Sequence, residues 1–287
     1  MEVLCLLLCG MVLFLYNWVW EAVREAHTMP GMKRVDIYRM VRSKQVPEPV
    51  LQLLATQTGV NEAGVATLLE QGMWWRLLDL QMDYFAPVLV ESVPGTPLTI
   101  TEYLVDEQGS YIRGTQLLDI QDGDILITKN SRFLGWRNGH AGLVVDAEAG
   151  LVLEAVMLGM DTKLCSLEKW EEYPAVMVLR LKAEANMSGQ SQKAVAYASR
   201  YLVDIPYQLL AGVRDRLFST RVVTVHAAGQ SDASVEMPTV KGTQCAHLVW
   251  YAYKQVGIDL DSDGGILVTP YDIQMSPYLE VIQSYGY

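Results

Sequence analysis

Asn138-Gly139-His140-Ala141-Gly142-Leu143-Val144-Val145, then Asp146-Ala147-Glu148-Ala149-Gly150, then Leu151-Val152-Leu153-Glu154-Ala155-Val156 is the stretch that decides how this chain folds. Two apolar, β-prone runs flank a short turn segment ending in glycine, the pattern of an antiparallel hairpin. Counting back from the turn puts Glu154 near opposite Gly142 and diagonal to His140, all on one face. Diagonal neighbours across antiparallel strands are within reach of long side chains, and Gly142 leaves the space between them empty. A one-residue slip would turn Glu154 to the other face, so the pairing depends on turn length.

A second stretch lies about a hundred residues downstream, Gly242-Thr243-Gln244-Cys245-Ala246-His247-Leu248-Val249-Trp250-Tyr251-Ala252. Leu248, Val249, Ala252 and Val256 recur at helical spacing, and Gly257 supplies the left-handed stop. Thr243 reads as the cap, which places Cys245 about two positions inside the helix. Unpaired N–H groups and the positive end of the helix dipole favour thiolate over thiol there. A lone cysteine can equally be a small buried hydrophobe. The upstream hairpin makes the difference: Glu154 would orient the imidazole, His140 would take the thiol proton, and Cys245 would attack a carbonyl.

With these residues in order, the chain resembles the permuted NlpC-like papain-fold cysteine hydrolases of the YiiX/YaeF group, in which histidine precedes cysteine. The resemblance runs from about Leu117 to the C-terminus. It rests on Asp122-Gly123-Asp124-Ile125-Leu126-Ile127, Gly139-His140-Ala141-Gly142-Leu143, Glu154 and Ser166-Leu167-Glu168-Lys169-Trp170. It continues through Ile205-Pro206-Tyr207, Thr243-Gln244-Cys245, and Gly257-Ile258-Asp259-Leu260 leading to Thr269-Pro270. The order and spacing carry it, since no single motif is strong. It implies an α+β, circularly permuted papain-like fold, with an antiparallel sheet or small barrel packed on helices. It further implies Cys245 as nucleophile, His140 as base, Glu154 as polar third residue and Tyr207 as a cleft-lining substrate contact. The backbone N–H of Cys245, with the Gln244 region, is the candidate oxyanion donor. Ala246 departs from the serine found after the cysteine in many relatives, at a position that supports packing more than chemistry.

Other conspicuous residues read as structural. His247 follows Cys245 by two positions and so points away from it on a helix. His226 falls in an insertion, and His27 has no partner in sequence. Cys5 and Cys9 lie in the apolar leader, leaving Cys165 and Cys245 as the thiols beyond it. That count provides no disulfide framework, and Cys165 reads as inert. No His or Cys pair has zinc-ligand spacing, so no metal is expected. Asp124, in a turn before a strand, reads as structural.

The 287 residues carry a formal net charge of -11, which argues against a nucleic-acid partner, and no basic stripe contradicts that. No phosphate-binding glycine loop is present, and no cofactor is expected. Val3 to Trp20 is an 18-residue run without a charged residue, ending in the aromatic cluster Tyr16, Trp18 and Trp20. A single membrane span and a cleaved signal peptide both fit that length. Glu2 and the lack of an A-x-A site favour the span, over 1–22. Arg24, Lys33, Arg34, Arg39, Arg42 and Lys44 follow it and place the globular part on the cytoplasmic side, whereas a wall-facing role needs the opposite side.

Residues 23–85 read as a helical linker region, with Asn61 capping one helix, and 86–287 as the hydrolase domain. Within the latter, strands are expected over 88–101 and 110–118, then near 124–129, 141–146, 151–157 and 175–181, with a helix near 189–203. Ser219 to Lys241 reads as a long insertion bordering the cleft. The expected function is a membrane-tethered cysteine hydrolase cleaving an amide, in a peptide such as a cell-wall stem peptide, through a thioester. The alternatives are an acyl-lipid amidase or acyltransferase of the lecithin retinol acyltransferase-like type, and a non-catalytic binding module that kept the fold.

Overall fold

Strands rich in Val, Ile and Leu build a six-stranded antiparallel sheet whose central strands are buried on both faces. Its members are β3 (Ile125–Thr128), β6 (His140–Asp146), β7 (Leu151–Glu154), β8 (Lys163–Ser166), β9 (Val176–Leu181) and β10 (Leu279–Tyr285), in the order β10-β9-β3-β6-β7-β8. A second sheet, ordered β1-β2-β4-β5, contains β1 (Leu89–Thr96), β2 (Thr99–Val105), β4 (Ser131–Phe133) and β5 (Trp136–Arg137). The protein is therefore α+β, with antiparallel sheets packed on helices. This computed structural model describes residues 9–16, 18–19, 24–43, 45–213 and 240–287.

Period-two alternation sorts the inner strands of the large sheet between two cores. Ile125, Ile127, Ala141, Leu143, Leu153 and Leu179 point to one side. There they pack on α6 (Gln190–Tyr201) and α7 (Cys245–Lys254). Leu126, Val144, Val152 and Val178 point to the other, against Trp170, Tyr173 and Tyr285. The β4–β5 hairpin is inserted between β3 and β6, which brings the second sheet to the end of β6 that carries His140.

Helices α1 (Tyr38–Val41), α2 (Glu48–Thr58), α3 (Glu62–Glu70) and α4 (Trp74–Tyr84) enclose a third core around Leu54, Val65 and Leu77. The segment expected as a linker is thus a packed unit. It covers the outer edge of β10: Ser284 N–H donates to Gly59 O and Asn61 N–H to Ile282 O. Gly59, at φ +73°, permits this approach, because a Cβ there would lie 2.1 Å from Ser284 O. Asn61 caps α3 as expected, its side chain accepting from Gly64 N–H.

The strand expected over 110–118 is absent apart from an isolated bridge between Val105 and Tyr111. Its backbone is satisfied otherwise: Gly114 N–H donates to Glu171 O and Leu117 N–H to a Glu171 carboxylate oxygen. The strand expected to reach 157 ends at Glu154. Among the described residues no helix is long and apolar enough to cross a membrane, and residues 1–8, 17 and 20–22 of the expected span lie outside them. Most of the 219–241 insertion, with His226, also falls outside the described residues.

Candidate active site

The β6–β7 register pairs Gly142 with Glu154, and a bulge after Val144 absorbs the extra turn residue. His140 Nε2 then meets Glu154 Oε2 at 2.7 Å. Glu154 is fully buried and His140 nearly so. The second carboxylate oxygen, Oε1, accepts from Lys169 Nζ at 2.8 Å, and the Cys165 thiol lies close enough to feel its charge.

Gly142 does not leave empty space, contrary to expectation. Trp170 fills it: a Cβ on residue 142 would sit 2.7 Å from Trp170 Cζ2 and 2.7 Å from Val152 Cγ1. The indole in turn stacks on the His140 ring, with centroids 5.3 Å apart and planes 14° from parallel. Imidazole orientation is thus set by an ion pair at one edge and an aromatic face beneath. Trp170 and Lys169 both come from α5 (Glu168–Glu171).

Cys245 is the first residue of α7, and the cap is Gln244 rather than Thr243. Gln244 Oε1 accepts from Ala246 N–H, and its Nε2 donates to Val268 O at 2.7 Å. Thr243 Oγ1 instead pairs with Nδ1 of the fully buried His247 at 2.9 Å. His247 therefore packs away from the thiol. Cys245 sits one residue closer to the helix start than the sequence suggested, where the orphan N–H groups and positive dipole end act most strongly.

His140 lies beside Cys245, close enough for each to shift the other's pKa, and the Cys245 thiol donates to Gln244 Oε1 at 3.4 Å. With Nε2 held by Glu154, Nδ1 is the imidazole nitrogen available to the sulfur. The three side chains come from both faces of the large sheet. Cys245 belongs to the core shared with Ala141 and Leu143, whereas Trp170 lies in the core shared with Val144 and Val152. His140 can link them because it is the first residue of its strand.

The electrostatics favour a charged pair. Burial alone would pull the His140 pKa down, but the hydrogen bonds and charges of Cys245 and Glu154 outweigh it and raise the pKa to about 9. Burial would push the Cys245 thiol up, yet His140 and the backbone N–H groups of Ala141 and Ala246 bring it below its ordinary value. Glu154 is likewise penalised by burial and is held well below the usual carboxylate range by His140 and Lys169. Cys165 moves the other way: burial and the neighbouring Glu154 charge raise it to about 11, leaving it a protonated, sluggish thiol.

Cys245, Gln244 and Tyr207 open onto a cleft of about 530 Å³, within the range of small-molecule sites. Its other walls come from the β4–β5 hairpin, the segment after β7, residues 209–210 and the approach to α8 (Pro270–Gln274). Among the described residues lining it, Arg132 and Arg137 are the only charged ones. Both are engaged by buried Glu102, and Arg137 also donates to Lys129 O. The Tyr207 hydroxyl is held protonated by burial and by the nearby Cys245 charge. The Cys245 N–H belongs to the first turn of α7, where backbone N–H groups have no intrahelical acceptor.

Asp124 is structural, paired with Arg180 and accepting from Gln121 N–H. His27 finds a partner the sequence did not suggest, the Pro174 carbonyl. Asp261, Asp263 and Asp272 bring carboxylate oxygens within 4.8 Å of one another, an oxygen set suited to a hard cation rather than zinc. Asp272 already caps α8 through Thr269. Lys169 and Trp170 were visible in sequence only as part of a motif, with no role attached.

No family model, curated protein or solved structure matches the chain.

Proposed function

We propose that the protein is a cysteine hydrolase of permuted papain-like fold that cleaves an amide or ester through a thioester on Cys245. The observation that carries this reading is the hydrogen-bonded chain Lys169–Glu154–His140, with His140 beside a thiol at a helix N-terminus whose pKa it lowers. In the resting site His140 holds the thiol proton and Cys245 is the thiolate. The sulfur attacks a substrate carbonyl presented from the cleft, and the Cys245 N–H stabilises the oxyanion. His140 returns its proton to the leaving nitrogen or oxygen as the tetrahedral intermediate collapses to the thioester. It then takes a proton from water, whose attack releases the acid and regenerates the thiolate. Glu154 keeps the imidazolium oriented throughout.

A peptide amide, as in a cell-wall stem peptide, is the substrate this family likeness suggests. The cleft favours the second reading, an acyl-lipid amide or ester, because its walls are mainly apolar and both arginines are committed to Glu102. The N-terminal run serves in either case as a single-pass tether to the membrane.

The test is acyl trapping. Wild-type protein mixed with 4-nitrophenyl butanoate should gain one butanoyl mass on the Cys245 peptide, labile to hydroxylamine, and lose it with time. Cys245→Ser should gain no hydroxylamine-labile adduct, and His140→Ala should acylate at least tenfold more slowly. Absence of an adduct at Cys245 refutes the enzyme reading and favours a binding module.

A further inference from the structure

We infer that the rim of the Cys245 cleft is itself a bilayer-contacting surface, so that the cleft opens toward the lipid phase. Four segments remote in sequence meet there and expose large apolar side chains: Leu134 (54% exposed), Leu158 (45%), Leu210 (62%) and Tyr271 (65%). All four line one cleft, which makes them a contiguous patch rather than the scattered apolar residues normal on protein surfaces.

The N-terminal apolar segment identifies what covers this patch. Phe14 packs on Trp136 with ring centroids 5.6 Å apart, and Trp18 Nε1 donates to Leu134 O at 2.9 Å. Phe14 and Trp18, both within the uncharged run, are therefore seated on the hairpin that forms one wall of the cleft. Residues 11–16 stay exposed themselves, as lipid-facing residues would. The inference rests on the membrane-tether reading of that run, which fixes a bilayer rather than a protein as occupant. The four rim side chains carry no charge, so docking at the rim draws on apolar insertion rather than on attraction to anionic headgroups.

The experiment uses the full chain reconstituted into phosphatidylcholine vesicles. A dansyl-bearing amino acid is placed singly at Leu210, Tyr271, Val12 and Glu148, and quenching by lipids with brominated acyl chains is read. Glu148 lies in the turn after β6, at the opposite end of that strand from His140 and about 20 Å away at roughly 3.3 Å per residue. Fluorescence should fall at least twofold at Leu210 and Tyr271 and stay constant at Glu148. It should be insensitive to salt. If both rim positions resemble Glu148, the inference is overturned. Val12 reads the tether separately: quenching there with a dry rim keeps the tether and rejects the rim. Quenching at the rim without Val12 keeps the rim contact and rejects the tether.

Discussion

Replacing Glu154 by glutamine keeps the side-chain shape and removes the charge on which the site depends. His140 stands at about 9 against an ordinary 6.5, a lift of about 3 kcal/mol at 1.36 kcal/mol per unit, achieved against burial. Cys245 and Glu154 share that lift, so the variant forfeits part of it. Loss of about one unit makes the thiolate–imidazolium pair about tenfold less favoured. The assay is iodoacetamide alkylation of Cys245, followed by mass spectrometry from about pH 5 to 10. Wild type should react on a plateau that begins below the range of a free thiol, with a second change near pH 9 as His140 loses its proton. Glu154→Gln should react about tenfold more slowly at pH 7, with its rise moved toward the free-thiol range near 8.5. Stability provides a second readout. The raised His140 contributes fully below 6.5 and loses its contribution as pH rises through about 9. The depressed Glu154 contributes fully above its ordinary 4.5 and loses its contribution on acidification. The variant should therefore be most destabilised between those limits. The deficit should be about 3 kcal/mol, the low end for breaking a buried ion pair, because the Lys169 side chain is 29% exposed and water takes up its charge. An alkylation profile that overlays wild type in a folded variant would show that the Glu154 charge does not hold the pair.

Gly142→Ala pushes a methyl within 2.7 Å of Trp170 and Val152, and should cost about 1–3 kcal/mol by denaturant unfolding while slowing Cys245 alkylation as the indole shifts under His140. Unchanged stability and reactivity would mean that Trp170 is not a support. Gln244→Ala removes the α7 cap and the bond to Val268 O, and should cost about 1 kcal/mol in urea melts, with Gln244→Ser recovering part of it. Equal loss in both variants would refute the cap assignment. Cys165→Ser should leave the alkylation rate near neutral pH unchanged, since that thiol is raised to about 11. Substantial wild-type label on the Cys165 peptide at pH 7 would contradict this.

Much of the site was legible because it is local. The turn before Leu151 sets the β6–β7 register, and register alone places Glu154 opposite Gly142. Helical spacing after Cys245 was equally informative, although Gln244 took the cap from Thr243 because Thr243 is drawn to the buried His247. Lys169 and Trp170 could not be assigned, since their partners lie 15 residues back for Lys169 and across a sheet face for Trp170. No pattern in one sequence reports such contacts. The region 110–118 has the apolar residues of a strand, but Glu171, Leu104 and the Gln283 side chain accept from its backbone and it joins no sheet. The packing of the N-terminal helices on β10 depended on a bend at Gly59 that follows only from tertiary contact.

The hairpin has a consequence for how the protein comes to life. His140 and Glu154 are 14 residues apart, a loop that closes on the microsecond scale of hairpins. Cys245 joins them through α7, a contact of far greater sequence separation that is expected to form more slowly. A half-folded chain would hold its proton acceptor ready while its sulfur behaves as an ordinary thiol. The lowered thiol pKa would then arise only once α7 has docked beside His140.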